Sequence, residues 1–176
     1  MEEANEKLVK LYLESKGFFV RMNEKFKAEK NRKLEIDIIA IRPKKRNDGL
    51  PDKIVGEVKS WSPRLLHMSN NNIEEKNKKH QGKFKAVFED REKTEKYIKD
   101  KYGSDFKFYI FSRKLPIKEE DKILKTLKEL KTNFIDLEFI SEKIKEHALS
   151  QSYTNDPELQ LIRILDRKSI EKLKEW

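Results

Sequence analysis

The stretch Leu34–Trp61, LEIDIIAIRPKKRNDGLPDKIVGEVKSW, reads as two strands joined by a polar turn, each carrying charge where a buried strand should be apolar. By the two-residue period of a strand, Ile36, Ile38 and Ala40 fall on one face and Glu35, Asp37 and Ile39 on the other. Asn47-Asp48-Gly49 and Pro51 supply the turn, and Lys44–Asp52 is expected to be a hairpin loop. In the second strand Ile54, Gly56 and Val58 share a face, opposite Val55, Glu57 and Lys59. An acid left unpaired among β-branched residues costs roughly 2–5 kcal/mol. Asp37, Glu57 and Lys59 at such positions therefore point to chemistry.

Two carboxylates a few ångströms apart repel, and one holds its proton unless a cation lies between them. Mg²⁺ takes oxygen ligands from one or two carboxylates plus a phosphate. A lysine beside such a pair can orient water and stabilise charge developing on a phosphate. The pattern Asp37…Glu57-Val58-Lys59 resembles the PD-(D/E)xK nuclease superfamily, with Ile36 where the family commonly has proline. The N-terminal stretch NEKLVKLYLESKGFFV is similar to the opening helix of archaeal Holliday-junction resolvases and Mrr-type restriction endonucleases, in which a glutamate ahead of a Gly-Phe joins the metal site. Glu6, ahead of Gly17-Phe18, has that spacing.

The resemblance spans about residues 1–112. It implies an α/β, restriction endonuclease-like mixed central sheet flanked by helices, here with extra C-terminal helices. It further implies a metal-dependent DNA endonuclease, with Asp37 and Glu57 holding Mg²⁺ (Mn²⁺ substituting), Glu6 and the Val58 carbonyl as further ligands, and Lys59 positioning water. Products with 5′-phosphates and a homodimer follow from the same likeness. A nucleic-acid-binding subunit with this fold and no cleavage activity is the second reading. A structural protein in which Asp37 and Lys59 form only a core ion pair is the third.

Outward from the central stretch, residues 2–16 are expected to form a helix ended by Gly17, with Ala4, Leu8, Leu11 and Tyr12 as its apolar stripe. Glu6 lies in line with Val9 and Leu13 at the edge of that stripe. Strands are expected at Phe18–Phe26, Phe106–Ser112 and Phe134–Phe139, and helices at Ile73–Lys101, Lys118–Lys131, Ser141–Leu149 and from Pro157 to Trp176. The domain is thus 1–150, with 151–176 a helical extension packed on the core or on a partner. Arg42, Lys44, Lys45 and Arg46 in the hairpin loop, with Arg64 beyond it, are basic residues for phosphates or a solvated charge run. Ser60 and Trp61 follow the second acid strand directly, and the tryptophan is placed to stack on a base or to cap the core. Gln81, beside His80, is in the position of a glutamine that related nucleases often carry on this helix.

Composition bounds the rest. Of 176 residues 41% are charged and 36% hydrophobic, and the net charge is +9, which favours a polyanionic partner such as DNA. Cysteine is absent, which excludes disulfides and zinc-thiolate sites. His67, His80 and His147 lack metal-ligand spacing, and no GxxxxGK[ST], GxGxxG or GxSxG motif occurs. No apolar run approaches the ~20 residues of a membrane span. An intracellular, cytoplasmic protein is expected, and the Lys/Glu-rich composition suits a thermophile, such as an archaeon or its virus.

Overall fold

The second strand of the sheet, β2 (Lys33–Ile41), buries Leu34, Ile36, Ile38, Ile39 and Ala40, and the other elements are arranged around it. The structure, a computed structural model, describes residues 2–28, 32–44, 46–59, 91–113, 120–129, 131–150 and 155–162. In chain order these form α1 (Glu2–Ser15), β1 (Phe19–Lys27), β2, β3 (Lys53–Lys59), α2 (Arg91–Tyr102), β4 (Lys107–Ser112), α3 (Glu120–Glu129), β5 (Thr132–Asp136) and α4 (Leu137–Ser150). Residues 157–162 begin a further helical segment.

The sheet order follows the chain, β1-β2-β3-β4-β5. The β1–β2 and β2–β3 pairs are antiparallel, whereas β3–β4 and β4–β5 are parallel. Parallel neighbours need a crossover connection, and α2 and α3 lie in the two connections. The result is an α/β fold with a mixed five-stranded sheet flanked by helices, the architecture that the resemblance implied.

Alternate residues of β3 divide between two cores. Ile54 and Val58 pack with α1 (Val9, Leu13) and α4 (Ile140, Ile144), while Val55 packs with Ile98 of α2. Strand alternation therefore puts α1 and α4 on one face and α2 on the other. In β2 that alternation breaks at Asp37. Ile38 and Ala40 join the α1–α4 core, but Leu34 and Ile36, which should share their face, join Ile39 on the α2 side. Strict alternation had grouped Ile36 with Ile38.

The reason lies in the neighbouring strand. The register passes from Met22↔Ile38 to Glu24↔Ile36, and Asn23, between them, has φ +54. A left-handed residue inside a strand kinks it as a bulge does. Both strands change face at this level, and Glu24, just past the kink, accepts hydrogen bonds from Tyr97, Lys101 and Tyr102 of α2. Those from Lys101 and Tyr97 hold its carboxyl down at about 2 despite burial.

Several ends are set by local chemistry. Gly17, at φ +84, closes α1, with Phe18 N–H donating to the Leu13 carbonyl at 3.1 Å. The last strand ends at Asp136, earlier than the expected Phe139, because the Asp136 carboxylate accepts the Glu138 N–H at 2.8 Å and starts α4 there. Asp156 caps the segment after Pro157 in the same way, and Leu159 from it is buried in the α1–α4 core. The expected helix over 73–101 is described from Arg91 onward; its earlier part, like Trp176 and the rest of 163–176, lies outside the described residues.

Gly56 pairs with Ile38 and Tyr109, and a Cβ there would meet Phe111 Cε2 at 2.5 Å and Ile38 Cβ at 3.4 Å. Phe111 is fully buried, so it can give way only by disturbing its core neighbours. Gly56→Ala is expected to destabilise by roughly 1–3 kcal/mol, lowering Tm by roughly 2–10 °C in a thermal melt. A Tm within a degree of wild type would mean that the sheet face yields at this point.

Candidate active site

The β2–β3 ladder runs from Ile41↔Lys53 to Ile38↔Gly56. One step further Asp37 stands opposite Glu57, and the backbone bond that would continue the ladder is replaced by a side chain. Asp37 Oδ2 accepts the Val58 N–H at 2.7 Å. On its other side β3 remains paired, Glu57 with Ile110 and Lys59 with Ser112. The kink at Asn23 and Asp37 is thus where β2 parts from β3 and turns a carboxylate into the gap.

Lys59 Nζ closes the group, 2.7 Å from Glu57 Oε2 and 3.5 Å from Asp37 Oδ2. The three side chains keep 17% (Asp37), 30% (Glu57) and 20% (Lys59) of their surface exposed, so the cluster is partly sheltered yet open to a ligand. Burial, and then the Asp37 carboxylate, push the Glu57 carboxyl up to about 7 against the downward pull of Lys59. Burial pulls the Lys59 ammonium down, but the Glu57 and Asp37 carboxylates outweigh it and hold it above its ordinary value. The site therefore holds two acids and one ammonium, with the Glu57 carboxyl raised well above the ordinary carboxylate range.

The donors suit a hard divalent cation. They are carboxylate oxygens from two strands, and Lys59 Nζ already lies within reach of both, acting as the cation between them. Glu6 is half-buried on α1, which packs over the sheet near β3. Among the described residues no three His, Cys, Asp or Glu side chains converge as a metal-binding group, so the acidic centre consists of the Asp37–Glu57 pair.

The expected phosphate-binding residues fare unequally. Arg42 is 3% exposed, and its guanidinium is committed to the hairpin loop. It donates to Asp48 Oδ2 at 2.7 Å, to Asp52 Oδ1 at 3.2 Å and to the Leu50 carbonyl, and lies 4.8 Å over the Phe18 ring. A guanidinium so placed holds the loop together and does not reach a phosphate outside it. Lys44 is exposed, and so is Arg46, whose guanidinium lies against Gly17 at the α1–β1 turn. Lys45, Ser60, Trp61, Arg64 and Gln81 lie outside the described residues.

Arg91 and Thr94, at the described start of α2, were not marked by any sequence pattern. With Glu57 and Thr132 they line a cavity of about 30 Å³, enough for a water molecule. Arg91 donates to Thr132 Oγ1 at 2.7 Å and to Glu95 Oε1 at 2.8 Å, and its guanidinium lies 4.4 Å from the Phe108 ring centre. It docks α2 on β4 and β5 and so walls in the Glu57 carboxyl. Its partner Thr132 is 41 residues away along the chain, beyond the reach of local periodicity.

No family model, no curated protein and no solved structure matches the chain.

An acid whose folded pKa is raised binds more protons folded than unfolded, so its contribution to stability declines as pH rises from the ordinary carboxyl value to the raised one. For Glu57 that window runs from about 4.5 to about 7. In EDTA, Glu57→Gln is therefore expected to melt a few degrees above wild type at pH 8, with the gap closing towards pH 5, by differential scanning calorimetry. A gap that stays constant between pH 5 and 8 would show that the Glu57 carboxyl titrates normally.

Proposed function

We propose that the protein is a metal-dependent DNA endonuclease of the PD-(D/E)xK type, hydrolysing phosphodiester bonds at the Asp37–Glu57–Lys59 cluster. The observation that carries this reading is the single lysine ammonium within 4 Å of two carboxylates on adjacent strands, at the point where the ladder between them ends. Such a cluster has a carboxylate too many for its one ammonium, and a divalent cation would relieve it. Net charge of +9 draws in a polyanionic substrate.

Asp37 and Glu57 would hold Mg²⁺ or Mn²⁺, with the Val58 carbonyl as a further oxygen donor. When bound, the ion lowers the pKa of a coordinated water and polarises a phosphate. The chain's own residues do the rest. Asp37 is fixed by the Val58 N–H, so one of its oxygens keeps a set direction. Lys59, held charged by its two neighbours, aims an ammonium at the place where a phosphate oxygen gains charge and can orient the attacking water. A homodimer would bring two such sites to opposite strands of a duplex.

Asp37→Asn and Lys59→Ala are each expected to lower cleavage by at least roughly 10²-fold while DNA affinity stays within a few-fold of wild type. Mg²⁺-dependent cutting of plasmid, single-stranded and branched DNA measures this, alongside Mn²⁺ binding by calorimetry. Wild-type rates in the Asp37→Asn protein would refute the assignment. Undiminished DNA binding with no cutting of any substrate and no Mn²⁺ binding would instead favour a DNA-binding subunit without catalysis.

A further inference from the structure

β3, β4 and β5 are parallel, so their N-terminal ends emerge together, at the end of the sheet away from Glu57 and Lys59. In register, Ile54 lies beside Lys107 and Phe108 beside Thr132, which puts Lys131 directly beside Lys107, with Lys53 one residue short of that level on β3. Neighbouring strands are about 4.8 Å apart, and the like charges of Lys107 and Lys131 at that spacing repel. Lys53 is occupied, donating to the Ser104 carbonyl at 3.0 Å with its ammonium 5.5 Å over the Phe106 ring. Lys107 and Lys131 are exposed, as is Lys128 on α3, and none of these three forms an ion pair among the described residues.

The three lysines line one groove of about 680 Å³, between the hairpin loop, α3 and the starts of β4 and β5. Among the described residues no carboxylate lines it. Its other walls are largely apolar: Leu50 and Pro51 from the loop, Phe134 from β5, and Leu124, which stays 40% exposed. Lys131 has φ +49, a conformation that glycine adopts freely and lysine only at a cost, at the position following α3 where glycine is common. The chain keeps a lysine there nonetheless.

We infer that this groove binds a single strand of nucleic acid, its phosphates on Lys107, Lys128 and Lys131 and a base against Leu124 and Phe134. Charge complementarity selects a polyanion. The apolar wall selects a single strand over a duplex, because a duplex presents phosphates and keeps its bases stacked inside, whereas an unpaired strand offers base faces to apolar and aromatic side chains. Lys107 in the groove stands beside Ile54, five residues along β3 from Lys59 and roughly 17 Å away, so the groove is a second contact surface, separate from the acidic cluster. The inference rests on the nucleic-acid part of the proposed function and needs no cleavage.

The test is fluorescence anisotropy of a labelled 15-nucleotide DNA strand in EDTA across a salt series. Lys107→Gln/Lys128→Gln/Lys131→Gln is expected to weaken binding at least tenfold and to reduce the log–log salt slope by about 2, three contacts on a single strand. A control removing the same charge from Lys27, Lys33 and Lys96, all exposed elsewhere, is expected to lose threefold or less. An abasic strand should bind wild type several-fold more weakly than the base-bearing one, and a duplex should lose equally in both triple variants. Equal losses on the single strand in the two triples, or equal binding of abasic and natural strands, would overturn the inference and leave the cleavage proposal standing. Failure of wild type to bind any strand or duplex would remove DNA as the partner altogether.

Discussion

One hydrogen bond, from the Val58 N–H to the Asp37 carboxylate, is the constraint on which the site depends. A backbone donor in the middle of a sheet has to be satisfied, and here a side chain satisfies it where the neighbouring strand has turned away. The ladder can therefore stop at Ile38↔Gly56 without leaving an orphaned donor. The same bond fixes the carboxylate beside Glu57, on the opposite strand, and within reach of Lys59. Without it, a half-buried aspartate at this position would be a liability.

The opposite face of β3 explains how the strand tolerates so much charge. Gly56 has no side chain, Phe111 occupies the space a Cβ would need, and Val58 joins the core formed by α1 and α4. All the polar side chains of β3's second half are thereby turned to the α2 side, where Arg91 and Thr94 close the wall around Glu57. The cluster is stable enough to form and still carries a carboxyl displaced to about 7. A core of apolar residues would be more stable, and retention of strained electrostatics is a mark of functional sites.

The positive charge of the chain is put to two different uses. Arg42 is enclosed by Asp48 and Asp52, Arg91 by Thr132 and Glu95, and Lys101 by Glu24; these cations are structural. The lysines at the starts of β4 and β5 and at the end of α3 have no such partners among the described residues. A net charge of +9 is therefore unevenly available, and location decides which lysines can serve a polyanion.

The period-2 runs of β2, β3 and β4, the turn at Asn47–Gly49 and the acids Asp37 and Glu57 were legible in the sequence, because each is a local pattern of side-chain type and spacing, whereas the α1 face that the core buries is Val9, Tyr12 and Leu13, with Ala4 of the expected stripe exposed. Even so, strict alternation placed Ile36 beside Ile38, since nothing in a single strand's pattern reveals a left-handed residue in its neighbour. The burial of Arg42, read as part of a basic run, follows from carboxylates 6 and 10 residues away folding back over it. Arg91 could not be assigned, because its partner Thr132 comes from another strand. The groove lysines likewise come from β4 and from the end of α3 and just beyond it, and only the parallel register puts Lys107 beside Lys131. Sequence by itself determined which residues carry charge into the sheet. Tertiary structure decided which of those charges meet, because distances between strands are set by register and kinks, and these arise from pairing between distant segments.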